Sequence, residues 1–84
     1  MHTIEYTKQA AKELAAMPRN VRSVVVQKIE GLARDPFGAQ NVKKLVGVDG
    51  YRLRVGDWRV IYTVDSGRLV VRVVKIGPRG GVYE

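Results

Sequence analysis

Cysteine is missing from this 84-residue chain, and histidine occurs once, as His2. Without cysteine there is no disulfide framework and no thiolate metal site. A lone histidine cannot assemble a metal centre and scattered carboxylates are poor substitutes, so neither a metal nor another cofactor is expected. Long apolar runs are missing too: nothing approaches the ~20 residues that cross a bilayer. The opening Met1-His2-Thr3-Ile4-Glu5 has neither the basic start nor the apolar stretch of a secretory signal. The expectation is a cytoplasmic protein with no membrane partner. Length allows one domain, 1–84, with a thin core, because a chain this short buries only about 60–65% of its unfolded surface.

Acidic residues are scarce: eight Asp and Glu against fifteen Lys and Arg leave a net charge of +7. The surplus is uneven, at +2 over residues 1–42 and +6 over residues 43–79. A basic excess gathered in one half points to an anionic partner, with nucleic acid the default. A basic surface that serves only solubility accounts for the charge equally well, so charge alone does not choose.

Hydropathy patterning orders the chain. His2 to Tyr6 alternates weakly, as a short strand does. Thr7 suits a helix cap, and Lys8 to Met17 is rich in helix formers with Ala10, Ala11 and Leu14 on one stripe. Pro18 suits the first turn of a second helix, where its missing N–H is not needed. Val21, Val25, Ile29 and Leu32 then recur at helical spacing, until Asp35-Pro36-Phe37-Gly38 ends the run. Residues 38–49 read as a loop. From Tyr51 the period becomes two: Tyr51, Leu53 and Val55 alternate with Arg52 and Arg54. Gly56-Asp57 has the Gly-first form of a type II′ hairpin turn. Trp58, Val60, Tyr62 and Val64 alternate next, Asp65-Ser66-Gly67 turns the chain, and 68–76 is a Val-rich strand. The order β-α-α-β-β-β predicts an α+β fold, with an antiparallel sheet carrying two helices on one face as a two-layer sandwich.

Side chains two apart on a strand share a face. Arg52 and Arg54 therefore project together, and Arg59 on the next strand joins them once Trp58, Val60 and Tyr62 turn to the core. Three clustered cations are unfavourable without an anion to neutralise them. Solvated surface arginines are the plain alternative for any one of the three. Beyond the last strand, Arg79 offers a planar fork to a phosphate and Tyr83 a ring for an unstacked base; an incidental tail is the plain reading there. Lys43, Lys44 and Arg72 are candidates for flanking contacts to RNA, against solvated surface cations.

These residues carry a resemblance. Tyr51-Arg-Leu-Arg-Val-Gly-Asp-Trp-Arg-Val-Ile-Tyr62, a Val-rich strand, Lys75-Ile-Gly-Pro-Arg79 and the near-terminal Val82-Tyr83 resemble the RelE/ParE toxin superfamily, the RelE branch more closely than the other. The resemblance covers nearly the whole chain. It implies a toxin of a type II toxin–antitoxin pair that enters the ribosomal A site and cleaves mRNA without a metal. The 2′-OH would attack the adjacent phosphate, leaving a 2′,3′-cyclic phosphate and a free 5′-OH. By position, Arg52 and Arg54 match the family's basic pair, and Arg59 the arginine that orients and stabilises the phosphate. Arg79 matches the arginine after the last strand, and Tyr83 the tyrosine that stacks on a base. The implied partners are the ribosome, mRNA and a cognate antitoxin, acidic and folding as it binds.

The sequence departs from that pattern in two places. The best-studied branch has lysines where Arg52 and Arg54 stand, one of them assigned as general base. Arginine, with a pKa above ~12, is not deprotonated at neutral pH and cannot fill that role. Pro78 stands where many relatives have a basic residue or histidine. Tyr83, Lys43 and Lys44 are the remaining candidates for a base. Two other readings compete with the nuclease: a ParE-like inhibitor of DNA gyrase, and a non-catalytic RNA-binding module.

Overall fold

The computed structural model of the chain describes residues 1–78. Its elements are β1 (Thr3–Tyr6), α1 (Lys8–Ala15), α2 (Arg19–Gly31), β2 (Val42–Lys44), β3 (Tyr51–Val55), β4 (Trp58–Asp65) and β5 (Val70–Pro78). One sheet runs in the order β1-β5-β4-β3-β2.

Local chemistry explains most of these boundaries. Thr7 caps α1, its Oγ1 accepting from the Ala10 N–H at 3.1 Å while its hydroxyl donates to the Val74 carbonyl at 2.8 Å. One side chain thus ends β1, starts α1 and fastens both to β5. Pro18 occupies the N-cap of α2, one position earlier than expected, where its carbonyl accepts the Arg22 N–H. At the tip of the β3–β4 hairpin Gly56 has φ 58° and Asp57 does not share that region, as a type II′ turn requires.

The core lies between the helices and one face of the sheet. Ala10, Met17, Val25, Ile29 and Leu32 from the helical layer meet Leu53, Val60, Tyr62, Val71, Val73 and Ile76 from the strands. Each large aliphatic side chain buried there contributes about 1.5–3 kcal/mol. Tyr62 is buried among them and donates its hydroxyl to the Pro36 carbonyl, which ties β4 to the segment after α2. Tyr51 stacks on Tyr62 with ring centroids 5.6 Å apart, and Phe37 meets Tyr51 edge-on at 5.4 Å.

The α+β layering agrees with the pattern in the sequence, but the sheet differs in three respects. It is mixed, because β1 lies parallel to β5, with Ile4 opposite Val71 and Tyr6 opposite Val73. A second addition is β2, antiparallel to β3 inside the stretch expected to be loop. Asn41 at φ 69° leads into it, and the Leu45 N–H closes onto the Gly50 carbonyl at 3.0 Å. Its two lysines suit an edge strand, where charge discourages pairing with another chain. The third difference lies in β5, which starts at Val70, after Leu69 at φ 55°, and carries a bulge. Ile61 pairs with Lys75 but Tyr62 with Val73, so Val74 is an extra residue.

Candidate functional site

The register arranges the sheet face away from the helices in rows. Arg54 of β3 and Arg59 of β4 are direct cross-strand partners, and Gly77 of β5 extends that row. The adjacent row runs Lys43, Arg52, Ile61, Lys75 across β2 to β5. A third holds Thr63, Arg72 and Glu5. Cross-strand partners share a face, and the alternate positions Leu53, Val60, Val73 and Ile76 fill the core, so all three rows face outward.

Arg52, Arg54 and Arg59 therefore come together, with one difference from the expectation of an open surface. Arg59 is recessed, only 6% exposed. Its side chain folds back over the hairpin, Nη1 reaching the Trp58 carbonyl at 3.3 Å and the Gly56 carbonyl at 3.5 Å. Both contacts are long for N–H···O bonds, and neutral carbonyls cancel no charge. Among the described residues its Nε is buried without a partner, and so is the Nε of Arg52. Buried donors in folded proteins nearly always have acceptors, so the two Nε atoms leave hydrogen-bonding capacity on adjoining rows of the cation face.

The flanking candidates separate. Lys43 is the cross-strand partner of Arg52 and joins the site. Lys44 pairs with Tyr51 on the opposite face of the sheet and does not. Arg72 shares the outward face but lies two rows from the Arg54–Arg59 pair, where its Nη2 stands 3.9 Å from Glu5 Oε1. The strand period puts alternate residues on opposite faces, which separates Lys43 from Lys44; the local acid accounts for Arg72. Arg79 and Tyr83 lie outside the described residues.

Lys75 was not among the candidates read from sequence, and the Val74 bulge explains why. With strict alternation from Val71 and Val73, position 75 would point into the core. The extra residue shifts the phase, so Ile76 is buried against Val60 while Lys75 turns outward beside Ile61. The available signal was the broken alternation Val73-Val74-Lys75-Ile76, in which a lysine occupies an apolar phase. Together the first two rows hold five cations, Arg54, Arg59, Lys43, Arg52 and Lys75, and no carboxylate. Among the described residues none of the five forms an ion pair.

The end of β5 is held from the helical layer. β1 stops opposite Val73, so among the described residues the outer edge of β5 has no strand partner beyond it. The Thr7 hydroxyl takes the Val74 carbonyl, and Glu13 Oε1 of α1 accepts the Ile76 N–H at 2.8 Å. That carboxylate fixes the backbone between Lys75 and Gly77, hence the β5 border of the cation rows.

Comparison with known proteins agrees with this geometry. Residues 4–83 match the family described as the ParE toxin of the type II toxin–antitoxin system parDE. A RelE1 toxin candidate of Methanocaldococcus jannaschii is 31% identical over 84 residues, 96% of this chain and 93% of that protein. The archaeal RelE–RelB complex of Pyrococcus horikoshii contains a chain that superposes with a TM-score of 0.82 at 31% identity, covering 96% of this chain and 98% of that one. The intact E. coli RelBE toxin–antitoxin complex gives a TM-score of 0.81 at 25% identity, covering 93% and 96%. With fold and sequence in agreement, the chain belongs to the RelE/ParE family as a RelE-type toxin of a toxin–antitoxin system.

Proposed function

We propose that the chain is a ribosome-dependent mRNA endoribonuclease that inhibits translation. The observation that carries this reading is the five-cation face with recessed Arg59, whose buried Nε lacks an acceptor among the described residues. The RNA 2′-oxygen attacks the adjacent phosphorus, forming the 2′-O–P bond as the P–O5′ bond breaks. The products are a 2′,3′-cyclic phosphate and a 5′-hydroxyl. Negative charge grows on the phosphoryl oxygens in between. Arg54 and Arg59, with Arg52 in the next row and Arg79, offer planar forks to those oxygens. Pre-placed donors of this kind are worth about 10²–10³-fold each.

Proton transfer is the weaker part of the chemistry. Arg52 and Arg54 remain charged and cannot accept the 2′-OH proton. Lys43 stands on the right face and Lys44 on the wrong one, which leaves Lys43 and Tyr83 of the earlier candidates. A good general base is worth about 10²–10⁴-fold, so an enzyme without one is slower yet still active. The ribosome supplies alignment of the message, which converts the reaction into one between fixed groups.

The partner that restrains the toxin is proposed to be an acidic, RelB-like antitoxin segment that folds on binding. Support comes from the neighbours, which are themselves complexes with RelB antitoxins, and from the uncompensated charge of the face it would neutralise.

Cleavage is tested by adding the purified chain to ribosomes programmed with a defined mRNA and mapping both ends. The expected result is a cut within the A-site codon, with a cyclic phosphate on one side and a 5′-OH on the other, reduced about 10²–10³-fold in Arg59→Ala. The matching family description names a ParE toxin, so a gyrase inhibitor is the second reading. Intact message together with arrested DNA supercoiling would establish that one instead. Binding of RNA with neither effect would leave a non-catalytic module.

A further inference from the structure

Lys75 opens the Lys75-Ile-Gly-Pro-Arg79 segment but is the one cation of the two rows given no role by the sequence, and its position is set by a bulge. We propose that Lys75 is a further substrate-binding residue, gripping the RNA phosphate next to the one that Arg54 and Arg59 hold. The inference rests on the nuclease reading of the same face.

Three observations carry it. First, Lys75 sits diagonally across from Arg59, whose direct partner on β5 is Gly77. Diagonal neighbours of that kind have Cα atoms about 7–8 Å apart, within reach of a four-carbon side chain. Second, Ile61 separates Lys75 from Arg52 and brings no charge: it is 3% exposed and apolar. Arg52 and Lys75 therefore stand two strand spacings apart, about 10 Å, on either side of a neutral strip. Two cations set on either side of such a strip suit successive phosphates of one extended strand, each held by its own side chain. Third, the bulge at Val74 exists at the expense of regular pairing, and Glu13 and Thr7 hold the backbone on both sides of Lys75. Bulges re-aim side chains, and here the one re-aimed toward the arginines is a lysine.

The difference in chemistry has a purpose. Arginine presents a rigid fork that suits one phosphate in one orientation. An ammonium on a flexible stem is a point charge with three rotatable donors, able to follow a phosphate whose position varies from codon to codon. Lys75 thus contributes affinity and register along the message, while the arginines act on the reacting group.

The test uses the whole chain and two readouts. Binding of a non-cleavable 2′-deoxy-substituted RNA oligomer is measured as a function of salt, and KM is measured on programmed ribosomes. For Lys75→Met the log–log salt slope should flatten by about 0.7, the value for losing one single-strand phosphate contact. KM should rise several-fold with kcat little changed, the pattern of lost uniform binding. Lys75→Arg should restore the slope. Lys12→Met on α1 removes the same charge from the other layer and should leave the slope unaltered. Should Lys75→Met not fold, Lys75→Gln is read in its place. A wild-type slope and KM in Lys75→Met, or in Lys75→Gln where it stands in, overturn the proposal. If the wild type binds the oligomer with the Lys75-dependent slope but cuts no message, the nuclease reading fails and the phosphate contact stands. If it neither binds nor cuts, both fall.

Discussion

Arg54 and Arg59 stand directly opposite each other across the β3–β4 pair. The Arg54 N–H points away from β4, to the Asn41 carbonyl at 3.0 Å, so the two arginines form a non-hydrogen-bonded pair. Such pairs bring Cα atoms to about 4.5 Å, the closest cross-strand approach in a sheet. Like charges at that position oppose folding. With Arg52 and Lys43 one row along and no carboxylate in either row, the face works against the stability of the free protein. An anion bound there reverses the sign of the effect.

Removing one member of the pair should therefore separate stability from activity. Arg54→Ala is expected to unfold at an equal or higher denaturant concentration than wild type, with a gain of up to ~1 kcal/mol. Its cleavage of ribosome-bound message should fall by about 10²–10³-fold. Equilibrium unfolding and single-turnover cleavage of the same preparation check both halves.

Glu13 acts in the opposite sense, as a fastener. Glu13→Ala removes the acceptor of the Ile76 N–H, and stranding a part-buried donor costs about 1–3 kcal/mol. Lower stability should come with weaker cleavage, since the β5 border of the site loosens. Glu13→Gln keeps a carbonyl oxygen in reach and should retain most of both. Hydrogen exchange at Ile76 reports the bond directly.

Alkaline pH should expose Tyr62. Burial first, then the nearby Tyr51 and Asp35, push its hydroxyl pKa well above the ordinary tyrosine value of 10.0. Tyr6 is raised as well, by burial and then by Glu30. A raised value favours the protonated form in the folded state. Its contribution is complete below pH ~10 and is lost as pH climbs above that, because the unfolded chain releases its proton first. Urea midpoints should be flat from neutral pH to pH ~9.5 and fall beyond it. In Tyr62→Phe the alkaline fall should be shallower, and the lost hydrogen bond to Pro36 should lower stability at pH 7 by about 1 kcal/mol.

The legible parts of this protein were those where period alone fixes orientation. Alternation from Tyr51 to Val64, broken by Gly56-Asp57, suffices to put Arg52, Arg54 and Arg59 on one face, and the register agrees. The helices follow from Thr7, Pro18 and the Val21-to-Leu32 spacing. Pairing partners are a different matter. That β1 lies beside β5 and parallel to it depends on where Ile4 and Tyr6 find apolar cover, a long-range choice. β2 is three residues long, two of them lysine, and resembles a loop in composition. The bulge at Val74 hid Lys75, because a single inserted residue inverts the faces of everything after it. Recession of Arg59 was invisible for a related reason: the strand period fixes a face, not how far a long side chain stands out from it.

If Arg59 is kept for an anion and not for the fold, the stability of Arg59→Met measured without RNA will show it. Methionine keeps an unbranched stem and removes a recessed charge that has no acid partner among the described residues. Replacing buried charge with apolar volume is often neutral or stabilising by about 1–4 kcal/mol. The denaturation midpoint of Arg59→Met should accordingly equal or exceed that of wild type. A midpoint clearly below wild type would mean that Arg59 supports the fold and is not held in reserve for a phosphate.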